Sequence, residues 1–141
     1  MFKSLLVPVD LTTPEETQRL IRAAGELAGP WGSTLHIVNI VPDLGMPIVG
    51  AQFGEGFEKE RLKAAHADLD AAVAKAGVAA QTHVLTGTIY DQAIALADKL
   101  DSDLILIGAH RPDLKDYLLG SNAARLVRHS GRSVLVLRDQ T

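Results

Sequence analysis

The strongest constraint on the fold is a strict alternation between short apolar segments and longer segments with helical periodicity. Each longer segment carries its apolar residues on one helical face. Strands that alternate with helices in this way form a parallel sheet with right-handed crossovers. The strands are predicted at residues 5–9, 35–41, 80–85, 104–107 and 133–138.

The apolar content of each strand indicates its place in the sheet. Strands one and four are continuously apolar, which is typical of central strands buried on both faces, whereas residues 80–85 alternate as edge strands do. These patterns favour the strand order 3-2-1-4-5. The predicted fold class is therefore α/β, a Rossmann-like, open, doubly wound sheet of five parallel strands with four helices. We expect residues 1–141 to form a single domain.

Composition excludes several classes of protein. The net charge is −3 without a long basic run, so no nucleic-acid partner is expected. The apolar stretch at the N-terminus stops at Pro8, too early for a signal peptide, and no segment approaches the roughly 20 apolar residues of a membrane span. There is no cysteine, which excludes thiol chemistry. We therefore expect a soluble, cytoplasmic protein with no membrane partner.

Two local predictions concern the segments that follow strands one and two. Thr13, Pro14 and Glu16 have the spacing of a capping box at the start of the first helix. Residues 42–56 are rich in glycine and proline and have no period, so they are predicted to be a mobile loop of a length that usually has a function.

The carboxyl ends of strands one and four carry the residues best suited to hold a ligand. In a doubly wound sheet, ligands bind beyond the carboxyl ends where the winding reverses, which for this order lies between strands one and four. Asp10 ends the first strand and offers a carboxylate to ribose hydroxyls. Gly108 ends the fourth and lets a ligand approach the backbone.

The fourth helix and the loop before it add groups suited to phosphate. Gly120, Ser121 and Asn122 begin this helix, where free N–H groups and the helix dipole favour an anion. His110 and Arg111, in the preceding loop, can neutralise phosphate charge. Together with Asp10 and Gly108, these groups predict a nucleotide site.

Each of these residues also has an ordinary structural explanation. Asp10 can cap the loop that follows it, Gly108 can serve a turn with positive φ, and Ser121 can be a helix N-cap. His110 and Arg111 can be an exposed loop pair. Other nucleotide and metal motifs are missing, since the sequence has no GxxxxGK[ST], no GxGxxG after the first strand and no metal-ligand spacing among its histidines.

The chain resembles the universal stress protein family over essentially its whole length, and three stretches carry the resemblance. They are VPVD at the first strand, IGAH at the fourth, and the closing block LLGSNAARLVRHSGRSVLVLR. Residues 110–138 are most similar to the F/G-type branch of bacterial universal stress proteins. The resemblance implies the order 3-2-1-4-5, a homodimer, and ATP as the cofactor, with Mg²⁺ as an optional accompanying ion.

The resemblance also implies a role for individual residues. Asp10 would hold the ribose, Ile40 would meet adenine through its backbone, and Gly108 would lie against the ribose. Pro8 and Val9 would lie beside the base. The phosphates would be surrounded by His110, Arg111, Gly120, Ser121 and Asn122. The sequence departs from the family's G-x2-G-x9-G-[S/T] pattern, because Arg111 replaces the second glycine and eight residues separate it from Gly120.

Three functional hypotheses follow. The first is an ATP-binding protein of stress response or signalling that acts as a nucleotide-dependent dimeric switch. The second is a weak ATPase, or an enzyme that phosphorylates or adenylates itself, for which Asp113 and Asp116 are the nearest Mg²⁺ ligands in sequence. The third is a nucleotide-free dimeric interaction module. The dimer is predicted through residues 133–138, since a bare apolar sheet edge invites aggregation and a second copy would cover it.

Overall fold

The computed structural model describes residues 1–42, 47–109 and 120–138, and between residues 47 and 55 it describes the backbone alone. Within these residues, strands and helices alternate as predicted. The strands are β1 (Ser4–Val9), β2 (Thr34–Val41), β3 (Gln81–Thr86), β4 (Leu104–Gly108) and β5 (Ser133–Leu137). The helices are α1 (Pro14–Trp31), α2 (Pro47–Ala76), α3 (Ile89–Leu100) and α4 (Ser121–His129).

The strands form one sheet in the order β3-β2-β1-β4-β5, and every pair of neighbours is parallel. The predicted fold class and strand order are therefore confirmed. The central position of β1 explains why Leu5, Leu6 and Val7 are completely buried. β3 and β5 form the two edges, and the winding direction reverses between β1 and β4.

The pairing of β1 with its two neighbours is unequal, and this opens the sheet at its carboxyl edge. β1 pairs with β2 through six residues, from Ser4 to Val9, but with β4 only through Leu5 and Leu6. The ladder between β1 and β4 thus ends well before Val9 and Gly108. A gap at the carboxyl ends follows from this early end of the pairing.

The core has two layers because successive side chains of a strand point to opposite faces. On one face, Leu5 and Val7 of β1 pack with Leu20 and Ile21 of α1 and with Leu69 of α2. On the other face, Leu6 of β1 packs with Ala93 and Leu96 of α3 and with Leu126 of α4. Consequently, α1 and α4 approach the carboxyl edge of the sheet from opposite faces.

The prediction of a loop over residues 42–56 was wrong from residue 47 onwards, because α2 begins at Pro47, and residues 43–46 lie outside the described residues. Glycines in this segment lower its helix propensity, which is why the sequence suggested a loop. Extending a formed helix is much easier than starting one, and Pro is favoured at the first helical position. The periodic segment that follows residue 56 can therefore carry the helix back to Pro47. Among the described residues, none of the helices combines the length and the apolar character needed to cross a membrane.

Candidate functional site

A cavity of about 390 Å³ lies where β1 and β4 part, within the size range of small-molecule sites. The carboxyl ends of β1, β2 and β4 form one side of it. The first two turns of α1 and the beginnings of α3 and α4 complete it. The lining residues are Pro8, Val9, Asp10, Thr13, Glu16, Leu20, Ile40, Ile89, Ile107, Gly108, Gly120, Ser121, Asn122 and Ala123.

Eight of the ten predicted site residues line this one cavity, although they come from distant parts of the chain. They are Pro8, Val9, Asp10, Ile40, Gly108, Gly120, Ser121 and Asn122. The other two, His110 and Arg111, lie outside the described residues, as do Asp113 and Asp116. The structure brings the eight together, and their role in binding a nucleotide stays a prediction.

Asp10 has one carboxylate oxygen in use and one available. Its Oδ1 accepts hydrogen bonds from the backbone N–H of Thr12 at 2.9 Å and from the Thr12 hydroxyl at 2.6 Å. The structural explanation, that Asp10 caps the loop after β1, is thus correct for this oxygen. Within the described part of the chain, nothing donates to Oδ2. The side chain is solvent-exposed at the mouth of the cavity, so Oδ2 can accept a hydrogen bond from a ligand.

The backbone around Asp10 is fixed by hydrogen bonds from Thr13, Thr17 and Asn39. The Asp10 carbonyl accepts from the buried hydroxyl of Thr17 at 2.6 Å and from the N–H of Thr13 at 3.2 Å. The preceding carbonyl, of Val9, accepts from the buried amide of Asn39 at 3.1 Å. These bonds hold the Asp10 carboxylate in place without using its second oxygen.

The start of α4 provides hydrogen-bond donors on the opposite side of the cavity. Gly120 is a buried N-cap with φ −60° and ψ 155°, and its carbonyl accepts the first bond of the helix, from Ala124, at 3.0 Å. The N–H groups of Ser121 and Asn122 belong to the first turn, where no intrahelical acceptor exists. The helix dipole adds partial positive charge at this end. The arrangement is suited to an anionic group such as a phosphate.

Gly108 is explained by close approach and not by its backbone angles. Among the described glycines, φ is positive at Gly32, Gly77 and Gly87, so the alternative of a positive-φ turn at Gly108 is wrong. A Cβ added to Gly108 would instead collide with the carboxylate of Glu16. Any larger residue at this position would require Glu16 to move.

Glu16 and Thr13 line the cavity, although their spacing in the sequence predicted a capping box. The capping box was wrong, because Thr13 makes no side-chain cap and its hydroxyl bonds to the carbonyl of Asp10 at 3.1 Å. Glu16 is paired with Arg19, which donates from Nη2 at 2.9 and 2.8 Å and from Nε at 3.3 Å. The sequence offered one indication that Glu16 lies in the site. Because α1 follows β1 directly, its first turns lie at the carboxyl edge of the sheet, where the ligand was predicted.

The remaining wall of the cavity is apolar. Val9, Ile40 and Ile107 lie at or next to the carboxyl ends of three neighbouring strands and are each at most 8% exposed, and Ile89 is the first residue of α3. Flat apolar groups, such as a purine base, can pack against branched side chains of this kind. For metals, the described residues contain no group of three or more His, Cys, Asp or Glu side chains close enough to hold an ion.

A doubly wound α/β sheet with a cavity at its topological switch point defines a class of ligand-binding proteins. Within this class, the profile of the universal stress protein family matches residues 1–138. This chain therefore belongs to the universal stress protein family, as the motifs at β1, β4 and α4 implied.

Individual proteins show the same relationship. Universal stress protein G of Shigella flexneri is 31% identical over 149 residues, which cover 98% of this chain and 100% of that protein. Among solved structures, a universal stress protein in complex with cAMP has a TM-score of 0.67 and 20% identity, over 99% of this chain and 98% of its own. The Archaeoglobus fulgidus universal stress protein in complex with dAMP has a TM-score of 0.62 and 23% identity, over 95% and 96%.

Proposed function

We propose that this protein binds ATP, or a related adenine nucleotide, in the cavity between β1, β4, α1 and α4. One observation carries the proposal: a free carboxylate oxygen, an apolar wall and the N-terminus of a helix surround a single cavity. These three features correspond to the three parts of a nucleotide, which are ribose, base and phosphate. Family members with the same fold are in complex with cAMP and dAMP, which supports an adenine nucleotide over other ligands.

In the proposed complex, each wall of the cavity holds one part of the ligand. Oδ2 of Asp10 accepts a hydrogen bond from a ribose hydroxyl, and the base packs against Ile40, Val9 and Pro8. The phosphates lie at the N–H groups of Ser121 and Asn122, beside Gly120. His110 and Arg111 would add positive charge there, with Mg²⁺ as an optional accompanying ion.

The nucleotide acts in this proposal as the signal of a dimeric switch in stress response or signalling. A ligand shifts a conformational equilibrium only through its different affinities for the two states. The edge strand β5 provides the dimer contact, because Val134, Leu135, Val136 and Leu137 are only partly buried in the single chain. A second copy paired along this edge would satisfy its backbone and cover these side chains.

Calorimetric titration of the purified chain with ATP, ADP, AMP and FMN tests the proposal. We expect the adenine nucleotides to bind and FMN not to bind. Gly120→Val should abolish binding, because its side chain would enter the space proposed for phosphate. Gly131→Val is the matched control, since Gly131 is exposed and nothing lies within 4 Å of an added Cβ.

The outcomes separate a nucleotide-binding protein from a nucleotide-free interaction module. Equal ATP affinity in the parent and in Gly120→Val would place the ligand elsewhere. A parent that binds none of the four nucleotides would favour the nucleotide-free interaction module. Sedimentation equilibrium of the same sample should give the mass of a dimer, and a monomer at micromolar concentration would contradict the role proposed for β5.

A further inference from the structure

We propose that Glu16 is a second acceptor for the sugar hydroxyls and determines the direction in which a nucleotide lies in the cavity. The inference rests on the proposed function and extends it, since it assigns a specificity-determining residue. It depends on three features of the described residues: the position of the carboxylate, the way in which it is held, and the charge around it.

The position is defined by Gly108. The Glu16 carboxylate lies directly against the α-carbon of Gly108, at the end of β4, so closely that no side chain fits between them. Both residues line the same cavity as Asp10. On the α1 side of the cavity, the Glu16 carboxylate therefore covers the backbone of Gly108, which would otherwise be open to a ligand.

Arg19 holds this carboxylate rigidly. Three hydrogen bonds from its guanidinium reach the two Glu16 oxygens, and its Nη1 donates to the carbonyl of Arg138, just beyond β5, at 3.0 Å. The Glu16 side chain is 18% exposed, compared with 32% for Arg19, so the acid is the more enclosed partner. A carboxylate fixed before the ligand arrives loses little conformational entropy on binding.

The charge distribution then gives the cavity two unlike sides. Carboxylate oxygens accept hydrogen bonds and cannot donate, so Glu16 and Asp10 suit hydroxyl groups and offer no donor to a phosphate oxygen. The N–H groups of Ser121 and Asn122 do the opposite and come from α4, which packs on the other face of the sheet. A nucleotide satisfies both sides only with its sugar hydroxyls towards α1 and its phosphates towards α4.

The test compares affinities for AMP and for its 2′-deoxy and 3′-deoxy analogues. We expect the parent to prefer AMP over at least one analogue by about tenfold, the usual effect of one hydrogen bond to a charged group. In Glu16→Ala the preference over one of the two analogues should fall to about twofold or less, because the hydroxyl missing from that analogue has lost its acceptor, whereas a preference that depends on Asp10 should persist. Glu15→Ala removes the same charge one residue away, outside the cavity lining, and should keep the parent preference.

A second ratio tests the direction of the ligand. The ratio of ATP to AMP affinity should be the same in Glu16→Ala as in the parent, because the phosphates lie on the other side. A ratio that rises in Glu16→Ala would mean that the carboxylate faces phosphate and would overturn the inference. So would preferences for AMP over both deoxy analogues that Glu16→Ala leaves intact.

These results are separate from the test of the proposed function. A parent that binds AMP while Glu16→Ala behaves as the parent refutes the role of Glu16 alone. A parent that binds no adenine nucleotide refutes the proposed function and this inference together. Thermal unfolding of both glutamate variants confirms that the comparison is made on folded protein.

Discussion

At the amino end of the sheet Asp103 joins the beginnings of β1 and β4, whereas at the carboxyl end Asp10 stands where the same two strands part. The Asp103 carboxylate accepts from the N–H of Lys3 on both oxygens, at 3.1 and 2.9 Å, and from the N–H of Ser4 at 3.0 Å. Asp10 uses only Oδ1, for two bonds from Thr12. One aspartate is thus committed to the fold, and the other keeps an acceptor for a ligand.

The surroundings of Asp103 also affect its ionisation. Burial alone would raise the pKa of this carboxyl, but the backbone N–H groups of Lys3 and Ser4 and the nearby N-terminal amine together lower it. The N–H groups that stabilise the ionised form are those that tie β1 to β4. The comparison teaches that the number of donors around a carboxylate, and not its place at a strand end, decides whether an acceptor remains for a ligand.

The largest expected effects on stability and on binding come from replacing the aspartate at each end of the sheet with asparagine. Asp103→Asn should lower the free energy of unfolding by about 2 kcal/mol, since an amide turns one acceptor into a donor against backbone N–H groups. Asp10→Asn keeps one acceptor for Thr12, and we expect it to weaken nucleotide binding by about tenfold with a much smaller change in stability. Urea unfolding and calorimetric titration of both variants measure the two effects.

Each variant serves as the control of the other. Asp103→Asn should bind nucleotide as the parent does, because it lies at the far end of β1 and β4. A loss of stability in Asp10→Asn equal to that in Asp103→Asn, with unchanged binding, would remove the distinction between the two ends.

A smaller effect is expected from pH. The folded-state pKa of Asp103 is lowered, so its contribution to stability is complete above the unfolded value of about 3.9 and is lost as the pH falls through the folded value. The difference in unfolding free energy between the parent and Asp103→Asn should therefore be constant near neutral pH and shrink below about pH 4. Urea titrations from pH 7 to pH 3 measure it, and a difference that grows with acid would contradict this sign.

The smallest effect concerns the contact between Gly108 and Glu16. Gly108→Ala should cost about 1 kcal/mol of stability, because the new methyl group must displace the carboxylate held by Arg19. In a Glu16→Ala background the same change should cost less, which a double-mutant cycle detects. Gly131→Ala, which meets no atom within 4 Å, is the control. Equal costs in the two backgrounds would mean that Glu16 does not limit the space at Gly108.

Much of the fold and part of the site could be predicted from the sequence. The continuous apolar runs of β1 and β4 indicated central strands, and the alternation in residues 81–85 indicated an edge. Because the carboxyl ends of parallel strands share one edge, the predicted order already brought Asp10 near Gly108. Eight candidate residues consequently line one cavity, including Ile40, which the family resemblance added.

Other features could not be predicted from local patterns. Thr13 and Glu16 have the spacing of a capping box, yet the hydroxyl and the N–H of Thr13 both donate to the Asp10 carbonyl, and Arg19 offers charged donors to Glu16. The glycines before residue 57 suggested a loop, although α2 begins at Pro47. In the first case the competing partners lie within the same short stretch, between Asp10 and Arg19, but only the folded geometry shows which of them meet. In the second case the periodic part of α2 carries the helix back through the glycines.

The sequence by itself determined the alternation of strands and helices, the parallel sheet and the end of the sheet at which a ligand would lie. These properties depend on periodicity and strand order, which the pattern of apolar residues encodes directly. Only the tertiary structure decided which acceptors remain available and which carboxylate lies against Gly108. Hydrogen bonds and close contacts of this kind depend on atomic positions to within a few tenths of an ångström. The segments that carry these atoms can lie about a hundred residues apart in the chain.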